Sequence, residues 1–183
     1  MLFRSITVRV KNLPPGFHMP ATTIEAGTYS TTVALYADAA AKAPDQAAAP
    51  LLEGSTHATD MPFAHVGSFD VPKLIEPGDL VTTVKEAEVF IKPGEQAKMT
   101  VLIERRNGFK GRVPLDVKGL PHGVRVLDIG LNGILVNENE TTRTVVIYAE
   151  PWVRAQDHPF VVLARREGKN TEHAAKSVLL KVK

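Results

Sequence analysis

The chain has 183 residues, 44% hydrophobic and 23% charged, which fits one domain or two small ones and excludes disorder as a whole-chain state. Its 22 basic and 20 acidic side chains leave a net charge of +2, too little for a nucleic-acid footprint or a polybasic membrane anchor. Cysteine is absent, which excludes disulfides, thiolate metal centres and cysteine nucleophiles together.

From the N-terminus, Met1-Leu2-Phe3-Arg4-Ser5 has one basic residue and no long apolar stretch after it, so no signal peptide is expected in this chain. The uncharged stretch 12–24 is broken by proline and glycine. A bilayer span needs about 20 apolar residues, so no membrane insertion is expected. Leu13-Pro14-Pro15-Gly16 is a turn: proline fixes one backbone angle and glycine permits the next. Residues 38–49 are rich in alanine but contain Pro44 and run into Pro50. Proline costs a helix interior about 3 kcal/mol, so this stretch is a connection and not a helical layer.

Residues 84–183 are strands. Ala87, Val89 and Ile91 alternate with polar or exposed neighbours before the Pro93-Gly94 turn. Met99, Val101 and Ile103 alternate before Asn107-Gly108, and Val113, Leu115 and Val117 before Leu120-Pro121-His122-Gly123. Apolar residues at every second position, bounded by glycine and proline, mark half-buried strands. With 124–129, 144–149, 160–164 and 177–182 the count is seven strands. Short antiparallel strands with such punctuation predict a two-sheet sandwich.

The sequence also repeats. Val10-Lys11-Asn12-Leu13-Pro14-Pro15-Gly16 matches residues 117–123 at five of seven positions, at an offset of 107. Thr32-Val33-Ala34-Leu35-Tyr36-Ala37-Asp38 matches residues 144–150 at four of seven, at an offset of 112. Asp45 and Asp157 continue that offset, and Glu53-Gly54 matches Glu167-Gly168 at 114. The expected organisation is therefore two copies of one unit, 1–82 and 83–183. The first copy has about five strands and lacks the counterpart of roughly 84–112. A chain that starts within a unit suggests a piece of a longer array. Tyr36 and Tyr148, at equivalent positions, are expected to bury their rings and keep the hydroxyl at a polar rim.

Lys92-Pro93-Gly94-Glu95, the run 101–111 and Leu120-Pro121-His122-Gly123-Val124 resemble immunoglobulin-like repeats of large secreted or surface bacterial proteins. The resemblance covers 84–183 and, through the repeat, most of 1–80. It implies an all-β fold of two tandem immunoglobulin-like β-sandwiches, the first lacking its N-terminal strands. It also implies an extracytoplasmic location, often beside a protease or other catalytic domain. The Trp expected on the third strand of an antibody-like domain is missing; Trp152 stands in a connection instead.

Catalytic signatures are sparse. His18, His57, His65, His122, His158 and His173 show neither HExxH nor His-x-His spacing, and His57, Asp60 and His65 are the densest group. Asn137-Glu138-Asn139-Glu140 offers oxygens without the spaced ligands of a calcium loop, and is expected as a polar turn. Glu86 and Glu88 point to one face of a strand, not across a cleft, and no GxSxG, GxGxxG or Walker loop is present. No enzyme, metal or cofactor is expected.

Trp152, with Pro151 and His158 near it in sequence, is the candidate ligand-binding position for sugar or peptide. Residues 1–82 carry 5 basic and 8 acidic groups, and 83–183 carry 17 and 12, giving net charges of −3 and +5. Arg105, Arg106, Lys110 and Arg112 flank one turn, and Arg165, Arg166 and Lys169 another; both read as solvated faces. The expected partners are another protein or neighbouring domains of the same polypeptide, or a second copy docking through the incomplete first domain. The expected function is a non-catalytic spacer, display or protein-contact module of a larger bacterial protein. The alternative is an accessory carbohydrate- or peptide-binding domain attached to a secreted enzyme such as a protease.

Overall fold

The structure, a computed structural model, describes residues 4–42, 49–56, 63–70, 73–74, 78–131 and 133–183. Every regular element among them is a β-strand. The chain divides into two compact units, Met1–Glu76 and Pro77–Lys183.

The first unit contains β1 (Ile6–Lys11), β2 (Phe17–His18), β3 (Thr22–Ile24), β4 (Tyr36–Ala37), β5 (Leu51–Thr56) and β6 (Phe63–Ser68). One antiparallel sheet runs β3-β1-β5-β6, and β2 pairs β4 in a separate two-stranded ribbon. Phe17, Thr22, Ala34 and Pro50 are buried, whereas every residue of β6 is exposed.

The second unit contains β7 (Leu80–Val84), β8 (Glu88–Ile91), β9 (Gln96–Arg105), β10 (Val113–Lys118), β11 (Val124–Val126) and β12 (Ile134–Val136). It continues with β13 (Thr142–Ala149), β14 (Gln156–Arg165), β15 (Glu172–Ala174) and β16 (Val178–Val182). One sheet runs β12-β10-β14-β16-β8, with β15 also on β14; the other runs β11-β13-β9-β7. β8 pairs β16 in parallel and the remaining ladders are antiparallel. The inward residues of both sheets form one core, including Met99, Val101, Ile147, Phe160 and Leu180. This is an immunoglobulin-like β-sandwich. Alternation located its strands because one face of most of them meets water. β14 is the exception: at the centre of its sheet, it is buried continuously from His158 to Ala164, the pattern of a strand covered on both faces.

Sequence and structure differ at several points. The boundary lies at 76/77 and not 82/83, because β7 pairs along β9 from Leu80↔Arg105 to Val84↔Val101. β7, β12 and β15 were not among the seven predicted strands: they are three to five residues long, too short for alternation to emerge. The expected strand 124–129 ends at Val126, and Asp128 takes a positive φ of 55°.

The two units share their cross-strand pairs. Phe17↔Ala37 and His18↔Tyr36 correspond to Val124↔Ala149 and Arg125↔Tyr148. Ile6↔Ile24 and Val8↔Thr22 correspond to Val113↔Val136 and Leu115↔Ile134. Val10↔Leu52 and Lys11↔Leu51 correspond to Val117↔Val162 and Lys118↔Val161. This register corrects one sequence match. Glu53 lies opposite Arg9 as Leu163 lies opposite Asp116, so the counterpart of Glu53-Gly54 is Leu163-Ala164, not Glu167-Gly168. Asp45 lies outside the described residues. β7, β8 and β9 have no counterpart among the described residues of the first unit.

Candidate functional site

The repeated turn is built the same way twice. Phe17 N–H donates to the Pro14 carbonyl at 3.0 Å, and Val124 N–H to the Pro121 carbonyl at 2.9 Å. Gly16 and Gly123 adopt φ of 80° and 84°, a region that strains any side chain. Asp38 N–H then donates to the Gly16 carbonyl at 2.8 Å, and Glu150 N–H to that of Gly123 at 2.9 Å. A methyl group on Gly123 would stand 2.5 Å from Trp152 Cη2 and 2.7 Å from Val153 Cγ2. Trp152 therefore roofs the turn, which accounts for a tryptophan in a connection.

The tyrosines beside these turns differ from expectation. Both are half-buried, and each faces a cross-strand basic side chain. Tyr36 stacks on His18 at 5.3 Å, and Arg125 lies 5.1 Å from the Tyr148 ring centre. The acid that follows completes each group: His18 Nε2 to Asp38 at 2.8 Å, Arg125 Nη2 to Glu150 at 3.1 Å. Basic, aromatic and acidic groups thus lock the ends of equivalent ladders at the surface.

The two candidate ligand residues lie in different environments. Trp152 is 58% exposed and its ring stands 5.0 Å from that of His122, whereas His158 is 3% exposed within β14. The surface pair is Trp152 with His122, which the sequence places in the turn and among the six scattered histidines but not beside Trp152. Pro121-His122-Gly123 holds His122 there, and the contact of Trp152 over Gly123 brings the two rings together.

Other sequence candidates serve the framework. Arg105 donates to three carbonyls, of Gly111 at 3.0 Å, Glu140 at 2.5 Å and Asn137 at 2.7 Å. Glu140 accepts from the Asn137 backbone and side-chain amides at 3.0 and 3.2 Å. Those hydrogen bonds hold the Glu140 carboxyl below the ordinary carboxylate range, with Arg143 and Arg105 adding to the effect. The 137–140 loop is thus a turn closed on a guanidinium, whose charge opposes a cation at the same oxygens. Glu86 accepts from Thr100 N–H at 2.8 Å and Glu88 pairs with Lys181 at 2.8 Å, so the two acids have separate partners. Arg106 pairs with Glu104, and Arg112 with Glu167. Arg166 pairs with Asp79 and lies 4.7 Å from the Phe109 ring. Three of the basic side chains at these two turns, Arg106, Arg112 and Arg166, are thus paired with acids of the second unit.

Of the densest histidine group, His57 and Asp60 lie outside the described residues; His65 is exposed on β6 with its ring 4.5 Å from Phe63. Among the described residues no three metal-ligating side chains converge, and no helix is long and apolar enough to cross a membrane. Among the described residues, concavities open on the second unit. One, of about 790 Å³, lies where β11 and β12 part into different sheets, and Leu120, Arg125, Val126, Ile134 and Arg165 are among its lining residues. Another, of about 340 Å³, is lined by Gly78, Asp79, Arg166, Lys169, Thr171 and His173.

The first unit presents a different surface. Ile6, Leu52 and Phe63 share the sheet face that corresponds to the core face of the second unit, as the ladders Ile6↔Ile24, Val10↔Leu52 and Thr56↔Phe63 require. They are 38%, 42% and 56% exposed; Val113 and Val162, the counterparts of Ile6 and Leu52, are fully buried.

No protein-family model matches the chain. No curated protein matches it either. Among solved structures it is similar to domains 4 and 5 of the S-layer protein SbsC, at 14% identity and a TM-score of 0.38, over 73% of this chain and 65% of that one. It thus spans less than two thirds of that structure's own length. It is similar to the PapD-like domain 7 of human CEP192 at 14% identity and a TM-score of 0.39, over 63% and 93% of the two chains. It is also similar to fibronectin(III)-like modules of Clostridium thermocellum CbhA, at 15% identity and a TM-score of 0.31, over 98% and 77%. At these values the likeness decides no activity, and the immunoglobulin-like assignment rests on the strand order and shared core described above.

Proposed function

We propose that the chain is a non-catalytic structural and interaction module, made of two tandem copies of one immunoglobulin-like unit, in a larger bacterial protein that works outside the cytoplasm. It acts by spacing, display or protein contact through sheet faces and loops. The observation that carries this reading is the shared ladder register of the two units, from Phe17↔Ala37 with Val124↔Ala149 to Val10↔Leu52 with Val117↔Val162. A unit used twice in one chain suits a scaffold that adds length and surface. The turns, and Arg105, Arg106, Arg112 and Arg166 beside them, are occupied in holding that scaffold together.

One observation favours a second reading, an accessory carbohydrate- or peptide-binding domain attached to a secreted enzyme such as a protease: Trp152 keeps more than half its surface exposed beside His122. Aromatic faces are common anchors in recognition. A glycan array probed with the full chain and with Trp152→Ala separates the two. No saturable binding is expected. Saturable sugar binding that disappears in Trp152→Ala establishes the second reading, and hydrolysis catalysed by the isolated chain defeats both.

A further inference from the structure

The loop between β14 and β15 encloses a polar cavity together with the chain that enters β7. β14 and β15 pair at Ala164↔His173 and Arg165↔Glu172, so residues 166–171 are the hairpin loop between them. Lys169 N–H donates to the Arg166 carbonyl at 3.0 Å and Gly168 takes a φ of 76°, a tight turn that brings both basic residues to one cavity. Across from it, a methyl group on Gly78 would stand 2.8 Å from His173 Cε1, so the imidazole packs against the bare Gly78 backbone. Both line the cavity of about 340 Å³, with Asp79, Arg166, Lys169 and Thr171.

The lining is weighted towards hydrogen-bond donors. Arg166, Lys169, Thr171 and His173 each carry N–H or O–H groups, and Asp79 is the single acid among the lining residues. That carboxylate is already engaged, by Asn107 at 3.2 Å and by Arg166 Nη1. The donors are less committed. Arg166 gives Nη1 to Asp79, and among the described residues nothing accepts from its Nε or Nη2. Among those residues no acid stands within ion-pair distance of Lys169, and no hydrogen bond engages the Thr171 hydroxyl. Arg166 is also held from a second side, by the Phe109 ring at 4.7 Å, so its unused donors are fixed in place before any ligand arrives.

We propose that this cavity binds a tetrahedral oxyanion, phosphate or sulfate, free or carried by a small molecule, with Arg166, Lys169, Thr171 and His173 as its donors. The Asp79 charge is balanced by Arg166, which leaves the Lys169 ammonium as net positive charge at the site. A guanidinium fork, an ammonium, a hydroxyl and an imidazole N–H together suit an acceptor with oxygens pointing in several directions. A planar carboxylate, with two oxygens, satisfies fewer of them. The volume exceeds that of a bare oxyanion and leaves room for the small organic group that carries one. The site uses neither Trp152 nor His122, and it gives a ligand to a module whose other charged turns serve the framework.

Titration of the full chain with sodium phosphate, sodium sulfate and sodium acetate at constant ionic strength, followed by amide chemical shifts, tests the proposal. Saturable shifts at residues 78–79 and 166–173 are expected for phosphate and sulfate, and acetate is expected to bind about fivefold more weakly. Lys169→Ala is expected to weaken phosphate binding by about fivefold, and Lys169→Arg to retain it. Lys98→Ala, at the end of β9 remote from Asp79, is expected to leave binding unchanged. Both lysines are exposed, so these variants fold as the parent does. A hexose 6-phosphate separates the two sources: tighter binding than inorganic phosphate assigns the site to a phosphate ester, and equal binding to the free ion. Shifts that never saturate, acetate binding as tightly as phosphate, or equal effects of Lys169→Ala and Lys98→Ala overturn the proposal, because each marks general screening of surface charge.

Discussion

The two units have the same cross-strand pairs and different interiors. Val113, Leu115 and Ile134 are buried in the second unit, while Ile6 and Val8, at the counterparts of Val113 and Leu115, are exposed or half-covered in the first. Register follows from local chemistry: the proline-glycine turn, the Tyr–basic–acid lock at the ladder end, and the two-residue period of the strands. Burial does not, because it needs a second sheet across the face. A ladder is the precondition of a core and not its equivalent.

The strongest way to break this comparison is to cut into both faces. Phe160→Ala removes a fully buried ring from the core of the second unit and is expected to cost about 3–5 kcal/mol. Leu52→Ala removes a side chain that is 42% exposed, and less than about 1 kcal/mol is expected. Denaturant unfolding, with amide exchange followed separately in β1–β6 and β7–β16, reads both. Comparable losses at the two positions mean that the first unit has a complete core in solution.

Next in size is the shared turn. Gly123→Ala combines a positive φ with a clash against Trp152 and Val153, and a loss of about 2–4 kcal/mol is expected. Gly16→Ala meets Ala41 Cβ at 2.9 Å, a smaller neighbour, so its loss is expected to be lower by about 1 kcal/mol. In thermal unfolding, the double variant Gly123→Ala with Trp152→Ala recovers part of the loss if the clash contributes, and none if φ alone does.

How far the sequence predicted these features follows from the range of each interaction. Alternation at Met99, Val101 and Ile103 identified β9, and Leu-Pro-x-Gly identified both turns, because each signal lies within about ten residues. The sandwich class followed from their number and spacing. The 82/83 boundary was misplaced because the pairing of Leu80 with Arg105 crosses 25 positions and leaves no mark in a short β7. Glu53-Gly54 was paired with Glu167-Gly168 on identity alone, whereas the ladder matches it to Leu163-Ala164, where no residue is the same. His158 looked close to Trp152 by numbering, but the strand that begins at Gln156 carries it into the interior. Arg105, read as one of a basic cluster, instead caps three carbonyls from two separate turns, which only tertiary structure brings together.

Smaller effects sharpen the comparison. Thr22 Oγ1 and Thr82 Oγ1 are buried, one in each unit, and neither hydroxyl has a hydrogen-bond partner. Replacing each with isosteric valine removes the cost of an unsatisfied hydroxyl, and a gain of about 1 kcal/mol is expected from Thr82→Val. Thr22→Val is expected to gain less, because fewer described strands cover the first unit and local opening there lets water reach a hydroxyl more readily. Equal gains in denaturant unfolding argue that the two interiors are equally dry.

The smallest effect concerns Asp79, counted with the first unit by sequence but bonded within the second. Asn107 donates to its carboxylate at 3.2 Å and Arg166 pairs with it, with His173 adding a weaker electrostatic pull; together these hold its pKa below the usual value. The folded carboxyl is thus harder to protonate than the unfolded one. Its contribution to stability is present above the ordinary carboxylate pKa and disappears as pH falls through the lowered folded value. Asp79→Asn is therefore expected to lower stability at neutral pH, to flatten the acid limb of the pH profile, and to converge with the parent once Asp79 is protonated. The change should follow β7, β9 and β14 in amide exchange and leave β1–β6 unmoved, since the chain from Gly78 onward is bonded into the second sandwich. An acid limb that is unchanged, or one that shifts in β1–β6, would place the carboxylate's partners elsewhere and move the boundary back towards residue 82.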